Sequence, residues 1–372
     1  MKTNEVVGLV FSNVHDSNVP ELTEKRAIAS VLFGGRYRLI DFTLSNLVNS
    51  GISKVGLITQ NNYRSLIDHI GSGKPWDLDR KSGGIYLLPP YVSAGVGRFK
   101  GSVEAIDGAM TFLKRSKEKY VVMCNADVVS SMNIENIVDF HIDNCADITI
   151  CYKNGTMPEN RRDVLALETE KGGKVKRLYL EEGGTENTDF SLGVCVIERE
   201  FLISLIEEAR RDNLTNFSRD VVMPQLGKCS VYAYKIDSYA EVIDSNSSYV
   251  KANMMLLDPE VRRSLFQKKR PVFTKSRDNM PTRYGISSKV ENSIVGEGCV
   301  IDGTVKNSII FRNVTVEDGA NVENCIIMQG SVVKKNSECK YMVADKNTTI
   351  SEDAVIKGTE NYYSFIRKNS KV

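Results

Sequence analysis

Residues 6–11 (VVGLVF) form an unbroken apolar run, the pattern of a strand covered on both faces. Residues 43–49 carry Leu44, Leu47 and Val48 at helical spacing and stop at Ser50-Gly51, a helix C-terminal signal. Residues 55–59 (VGLIT), 120–124 (YVVMC) and 146–151 (ADITIC) read as further strands, the second running into Asn125-Ala126-Asp127. Strands alternating with helices predict an α/β domain over residues 1–245, with a mixed, mostly parallel sheet and helices on both faces.

From residue 286 the pattern changes. VENSIV at 290–295 returns as VKNSII at 305–310 and VENCII at 322–327, 15 and then 17 residues further on. Glu297-Gly298, Asp302-Gly303 and Asp318-Gly319 supply turns between the copies. Short aliphatic repeats separated by such turns predict a coiled parallel β-helix over 286–372, each coil stacked on the last. Three near-copies of one hexapeptide argue against a β-meander. Residues 246–285, holding Pro259, Pro271 and Pro281, are the connector. Its basic run, from Arg262-Arg263 to Lys268-Lys269-Arg270, is expected to be a solvated helix face.

Composition adds exclusions. The 372 residues suffice for two cores, and a net charge of +2 is too balanced to select nucleic acid or an anionic membrane as partner. There is no run of about 18 apolar residues and no signal-peptide pattern, so a cytoplasmic location is expected. Eight cysteines include no C-x-x-C pair and are expected to be small buried hydrophobes in a reducing compartment. Three histidines, none near a cysteine pair, argue against a zinc site.

Several blocks carry a family resemblance. Residues 33–46 (FGGRYRLIDFTLSN), 71–80 (GSGKPWDLDR) and 83–90 (GGIYLLPP) closely resemble the signature of glucose-1-phosphate adenylyltransferase, also called ADP-glucose pyrophosphorylase. Lys100-Gly101-Ser102 stands where that family has K/R-G-T, and Ser191-Leu192-Gly193 where it has a sugar-contacting S-M-G. The resemblance implies a Rossmann-like, GT-A-like nucleotidyltransferase domain followed by a left-handed parallel β-helix. It also implies substrate-pocket positions at Gly101, Ser102, Asp127, Ser191 and Gly193.

The departures are concentrated on catalytic positions. The family's first strand leads into G-G-x-G-x-R, where backbone approaches a triphosphate and the arginine neutralises it. Here residues 12–17 read SNVHDS, and no glycine lies between Gly8 and Gly34. Val14 is expected to crowd the phosphate path and Asp16 to place a negative charge beside it. His15, a loop histidine with no evident partner, is expected to be incidental rather than a phosphate contact. The family's R-A-K-P-A-V appears as RAIASV at 26–31, so Ile28 replaces a lysine. Its sugar-phosphate E-K-P aligns with LEEG at 180–183, placing Glu181 at the lysine. Of the two carboxylates that hold Mg²⁺ in active members, one matches Asp127. The other, in Y-W-x-D-V-G-T, aligns with Val242 of YAEVIDS at 239–245, with Glu241 and Asp244 as neighbouring substitutes.

The pattern resembles the GlgD-type subunit, implying a chain without catalytic or metal-binding competence. Such a subunit joins a catalytic glucose-1-phosphate adenylyltransferase chain in a heterotetramer serving glycogen synthesis. Lys25, Arg26 and Arg38 match positions that in the family contribute to binding phosphorylated activators, and Arg36 adds a further charge, so a sugar-phosphate effector is expected. An active nucleotidyltransferase with an atypical phosphate loop is the alternative. Acyl transfer, which hexapeptide β-helices often support, generally needs a β-helix histidine as base, and the last histidine here is His141.

Overall fold

The computed structural model describes residues 5–13, 15–90, 99–161 and 164–372. Its first domain is built on β1 (Val6–Phe11), β2 (Lys54–Ile58), β3 (Gly84–Leu88), β4 (Tyr120–Asn125), β5 (Ile148–Gly155), β6 (Leu165–Thr169), β7 (Val175–Leu180), β8 (Thr188–Glu198) and β9 (Val231–Lys235). The strand order is β7-β6-β8-β4-β1-β2-β3, with β5 pairing both β8 and β9. The run β3-β2-β1-β4 is parallel, as are β5 and β9, whereas β8 is antiparallel to β4, β5 and β6. The sheet is therefore mixed, as expected.

Side-chain alternation divides the core. Val10, Val122 and Val196 face Leu44 and Leu47 of the helix Leu39–Asn49 and Ile137 of the helix Ile134–Asp143. Leu9, Val121 and Ile197 face the other way, onto Ile106, Leu113 and Ile206. That two-sided burial explains why β1 is apolar at every position. The helix Leu39–Asn49 begins before its hydrophobic spacing suggests, because Asp41 accepts from the Arg38 amide at 3.0 Å and caps the first turn.

The second domain is a parallel β-helix of three five-stranded sheets, consistent with the left-handed winding expected. The hexapeptide copies stack in register, with Val290 beside Val305 and Val305 beside Val322. Corner residues adopt left-handed backbone, as at Asn292, Asn307 and Asn324, which asparagine tolerates better than most residues. Asn292 Nδ2 donates to Asn307 Oδ1 at 2.8 Å, so the corner also forms a side-chain ladder. Ile301, Val316, Val333 and Ile350 fill the interior with Cys299, Cys325 and Cys339. Cys124 and Cys151 are likewise buried, but Cys145 is exposed at a turn and is not the buried hydrophobe expected.

Residues 246–285 begin as two helices, Asn246–Met254 and Pro259–Leu265. Tyr249, Leu256 and Leu265 share one apolar cluster with Phe33 and Phe42 of the first domain and Ile309, Phe311 and Met328 of the β-helix. The basic run there is only partly a solvated face. Arg263 is exposed, but Arg262 donates to Leu256 O at 2.6 Å and Arg270 to Ser50 Oγ at 2.7 Å and Met132 O at 3.0 Å. Arg262 thereby supplies a donor to the unpaired carbonyls at the end of the short helical turn Met255–Leu257.

Candidate functional site

The chain leaves β1 at the carboxyl edge of the sheet, beside the end of β4, where ligands of open α/β sheets bind. Ser12 Oγ donates to Ile58 O at 2.7 Å, and a short turn Asp16–Asn18 leads into the helix Pro20–Thr23. Val14 lies outside the described residues. Asp16 is not directed only at a phosphate path, since its Oδ1 accepts from the Ile28 amide at 2.7 Å. His15 is not incidental. It is buried, and its Nδ1 donates to Asp127 Oδ2 at 2.7 Å. Arg161 Nη1 stands 3.4 Å from the same oxygen, and Asp127 itself is 1% exposed.

Around this cluster lie the other pocket positions. Ser102 begins the helix Ser102–Gly108, and its Oγ accepts from the Phe217 amide at 2.8 Å. Gly101 precedes it with extended backbone, packed so closely on the Thr215 carbonyl that a Cβ would collide. Ser191 Oγ accepts from the Gly193 amide at 3.2 Å. Gly193 has φ +68°, and a side chain there would strike the Asn125 amide. His15, Ser102, Asn125, Arg161, Ser191 and Gly193 line one cavity of about 70 Å³. Sequence reasoning did not single out Arg161 or Asn125. Asn125, at the strand end two residues before Asp127, was the more legible of the two.

The basic candidates separate. Lys25 and Arg36 are exposed, Arg36 lying 3.6 Å from Glu297. Arg26 is buried and bound to Asp345 of the β-helix at 2.5 Å, so in this conformation its charge is matched internally. Arg38 is also buried, donating through Nη1 to Ser65 O at 2.6 Å and Ser65 Oγ at 2.9 Å. Burial lowers its pKa to about 10, against the attraction of Asp41 and with added repulsion from Arg26, Arg312 and Arg277. Lys346, 7% exposed, is pushed down to about 7, first by burial and then by Arg38 and Arg26. Two guanidinium nitrogens here, Arg38 Nε and Arg312 Nε, are buried without a hydrogen-bond acceptor. Lys346, Arg312 and Arg277 were invisible as partners of Arg38 because they arrive from the connector and the β-helix.

A larger groove of about 960 Å³ separates the first domain from the last β-helix coil. Glu21, Glu159, Glu241, Asp244, Asp345 and Glu360 line it against Lys153, Lys251 and Arg367. That acidic excess opposes polyphosphate binding.

Residues 18–179 match the family model described as nucleotidyl transferase, and residues 279–362 match that described as GlmU-like, C-terminal hexapeptide. A glucose-1-phosphate adenylyltransferase of Acetivibrio thermocellus is 31% identical over 97% of this chain and 85% of its own length. One of Bacillus cereus is 32% identical over 95% of each chain. One of Pseudothermotoga lettingae is 34% identical over 86% of this chain and 76% of its own. The chain belongs to the glucose-1-phosphate adenylyltransferase family.

Against that family's pattern, each departure has a structural location. Ile28, at the lysine position, is buried with Leu22, Val31 and Phe33. Glu181 is exposed in the turn after β7 and lines neither cavity. Val242 pairs with Val128, and the Ile243 amide donates to Asp127 O at 2.8 Å, so this segment runs beside Asp127. Val242 nonetheless points into the core. Neither neighbouring carboxylate replaces it. Glu241 pairs with Lys153 at 3.1 Å, and Asp244 accepts from the Asn160 amide at 2.9 Å.

The family's Mg²⁺ therefore does not fit these residues: one carboxylate remains, and a histidine and an arginine face it. Among the described residues, no group of three or more His, Cys, Asp or Glu side chains is arranged to hold a metal ion. Among them too, no helix is long and apolar enough to cross a membrane.

Proposed function

We propose that this chain is a GlgD-type, non-catalytic member of the family, acting in the cytoplasm on a catalytic glucose-1-phosphate adenylyltransferase subunit in glycogen synthesis. The observation that carries this reading is the size and lining of the remnant cleft. Sites for ligands of nucleotide size usually enclose roughly 300–1,000 Å³. The cavity beside Asp127 offers about 70 Å³, with the phosphate loop folded into it through His15. Nucleotidyl transfer depends on positioning and charge stabilisation, and each lost stabilising group commonly costs about 10²–10³ in rate.

Two features support a regulatory subunit rather than a decayed enzyme. Arg38, Arg312, Arg277 and Lys346 lie close enough to repel one another, with Asp41, Glu297 and Asp345 as nearby acids, and this basic excess suits a sugar-phosphate effector. Tyr284, Ile286 and Val290 are exposed on the first β-helix coil, whose strand edges are paired on one side only, which suits a partner subunit.

The deciding assay supplies the purified chain with ATP, glucose 1-phosphate and Mg²⁺ and measures diphosphate release, alone and co-expressed with a catalytic homologue from the same organism. No turnover alone and altered kinetics in the complex are expected. Turnover alone at ordinary enzymatic rates, about 1–10³ s⁻¹, would assign the atypical active enzyme instead.

A further inference from the structure

Three separated segments converge on one oxygen of Asp127. His15 comes from the loop after β1, Arg161 from the loop after β5, and Asp127 from the end of β4. His15 Nδ1 lies 2.7 Å and Arg161 Nη1 3.4 Å from Oδ2. The three residues are 8%, 5% and 1% exposed, so water screens this cluster little. A carboxylate withdrawn from water to that degree requires a compensating charge or donor. The family's chemistry meets that requirement with a divalent ion, and this chain meets it with side chains.

We infer that His15 and Arg161 form a built-in hydrogen-bonding clamp that takes the place of the divalent metal at Asp127 and latches the turn at His15 against the end of β4. The inference rests on the family reading above and specifies what became of its metal position. His15 donates through Nδ1 whether its ring is neutral or protonated, so the clamp does not depend on titration. Its second consequence is mechanical. His15, on the turn after β1 that in an active enzyme must admit a triphosphate, is here bound to the strand end that would face that ligand. The clamp thus makes the fold around the cleft independent of Mg²⁺, as a subunit retained for assembly requires.

Manganese(II) is the probe, titrated into the full-length chain while the free-ion paramagnetic resonance signal is read. The wild-type chain is expected to leave that signal as in buffer, and amide exchange across residues 12–19 is expected to be the same in Mg²⁺ and in EDTA. Asp127→Asn is expected to raise exchange in that segment by at least about tenfold, as a released loop does. Arg161→Met, which keeps the His15–Asp127 bond, is expected to give a smaller rise and covers the case in which Asp127→Asn fails to fold. Stoichiometric Mn²⁺ binding by the wild type that Asp127→Asn abolishes would overturn the clamp. So would loop exchange indifferent to both substitutions. Mn²⁺ binding without turnover would remove the clamp and leave the non-catalytic reading intact, whereas turnover would remove that reading.

Discussion

Arg26 and Asp345 join the two domains through a buried ion pair, with Nη2 2.5 Å from Oδ2 and side chains 4% and 7% exposed. Removing one partner strands the other charge without water. Arg26→Ala or Asp345→Ala is therefore expected to destabilise the chain by about 3–5 kcal/mol, read by denaturant unfolding. Arg26→Met combined with Asp345→Leu should recover most of the loss, because an apolar pair leaves no orphaned charge. Effector affinity measured on folded Arg26→Met/Asp345→Leu protein should change little, since the charge at Arg26 is matched by Asp345.

Lys346 sets a pH dependence. Its pKa falls from the ordinary 10.5 to about 7 in the folded chain, through burial first and then the nearby Arg38 and Arg26. Between those values the unfolded chain binds the extra proton, so this residue's contribution to stability rises with pH across the window. Below it, the buried charge exerts its full cost. Lys346→Met is expected to stabilise most near about pH 6, and its advantage should vanish towards about pH 10, as unfolding curves at each pH would show.

The same cluster predicts anion binding. Calorimetry with a sugar bisphosphate should detect binding that weakens as pH rises past about 7, where Lys346 loses its proton. Arg38→Ala should reduce affinity at least about tenfold, because a buried guanidinium makes strong charge-assisted bonds to phosphate. Lys25→Ala, at an exposed lysine, should have the smaller effect, and equal losses from both would place the ligand on the outer surface instead.

Tyr284 and Ile286 test assembly. Both are exposed on the first β-helix coil, Ile286 completely, and neither contributes to the β-helix interior. Tyr284→Ser with Ile286→Glu should leave thermal unfolding of the isolated chain within about 0.5 kcal/mol of wild type. Co-purification with the proposed catalytic partner should fall sharply, and unchanged recovery would move the interface elsewhere.

Gly193 is a backbone requirement within the remnant cleft. With φ +68° and the Asn125 amide in the way of a Cβ, Gly193→Ala is expected to cost about 1–3 kcal/mol in unfolding experiments. Ser191→Ala, two residues away, should cost less, because it removes one hydroxyl acceptor and strains no backbone.

Much of the architecture was legible because it is periodic. The run at 6–11 became β1 with the same bounds, and the three hexapeptides became stacked coils in register. The helix at 39–49 was less so, since its first turn depends on Asp41 capping rather than on apolar spacing. At the site, Ser191 and Gly193, named from motif text, line the cavity beside Asp127, and the absence of glycine between Gly8 and Gly34 was visible directly. His15 was misread as incidental, because its partner lies 112 residues away. The four basic candidates read alike as text yet divide into two exposed and two buried residues.

The sequence by itself determined the family and the two periodic patterns that became the sheet domain and the β-helix, because strand alternation, coil repeats and motif spacing are local properties of the chain. Only the tertiary structure decided what the remaining charges do. Arg26 meets Asp345 across 319 residues, and Arg38 gathers Arg277, Arg312 and Lys346 from beyond its own domain. A charge has its meaning from burial and neighbours, and both are assigned only when distant segments pack together.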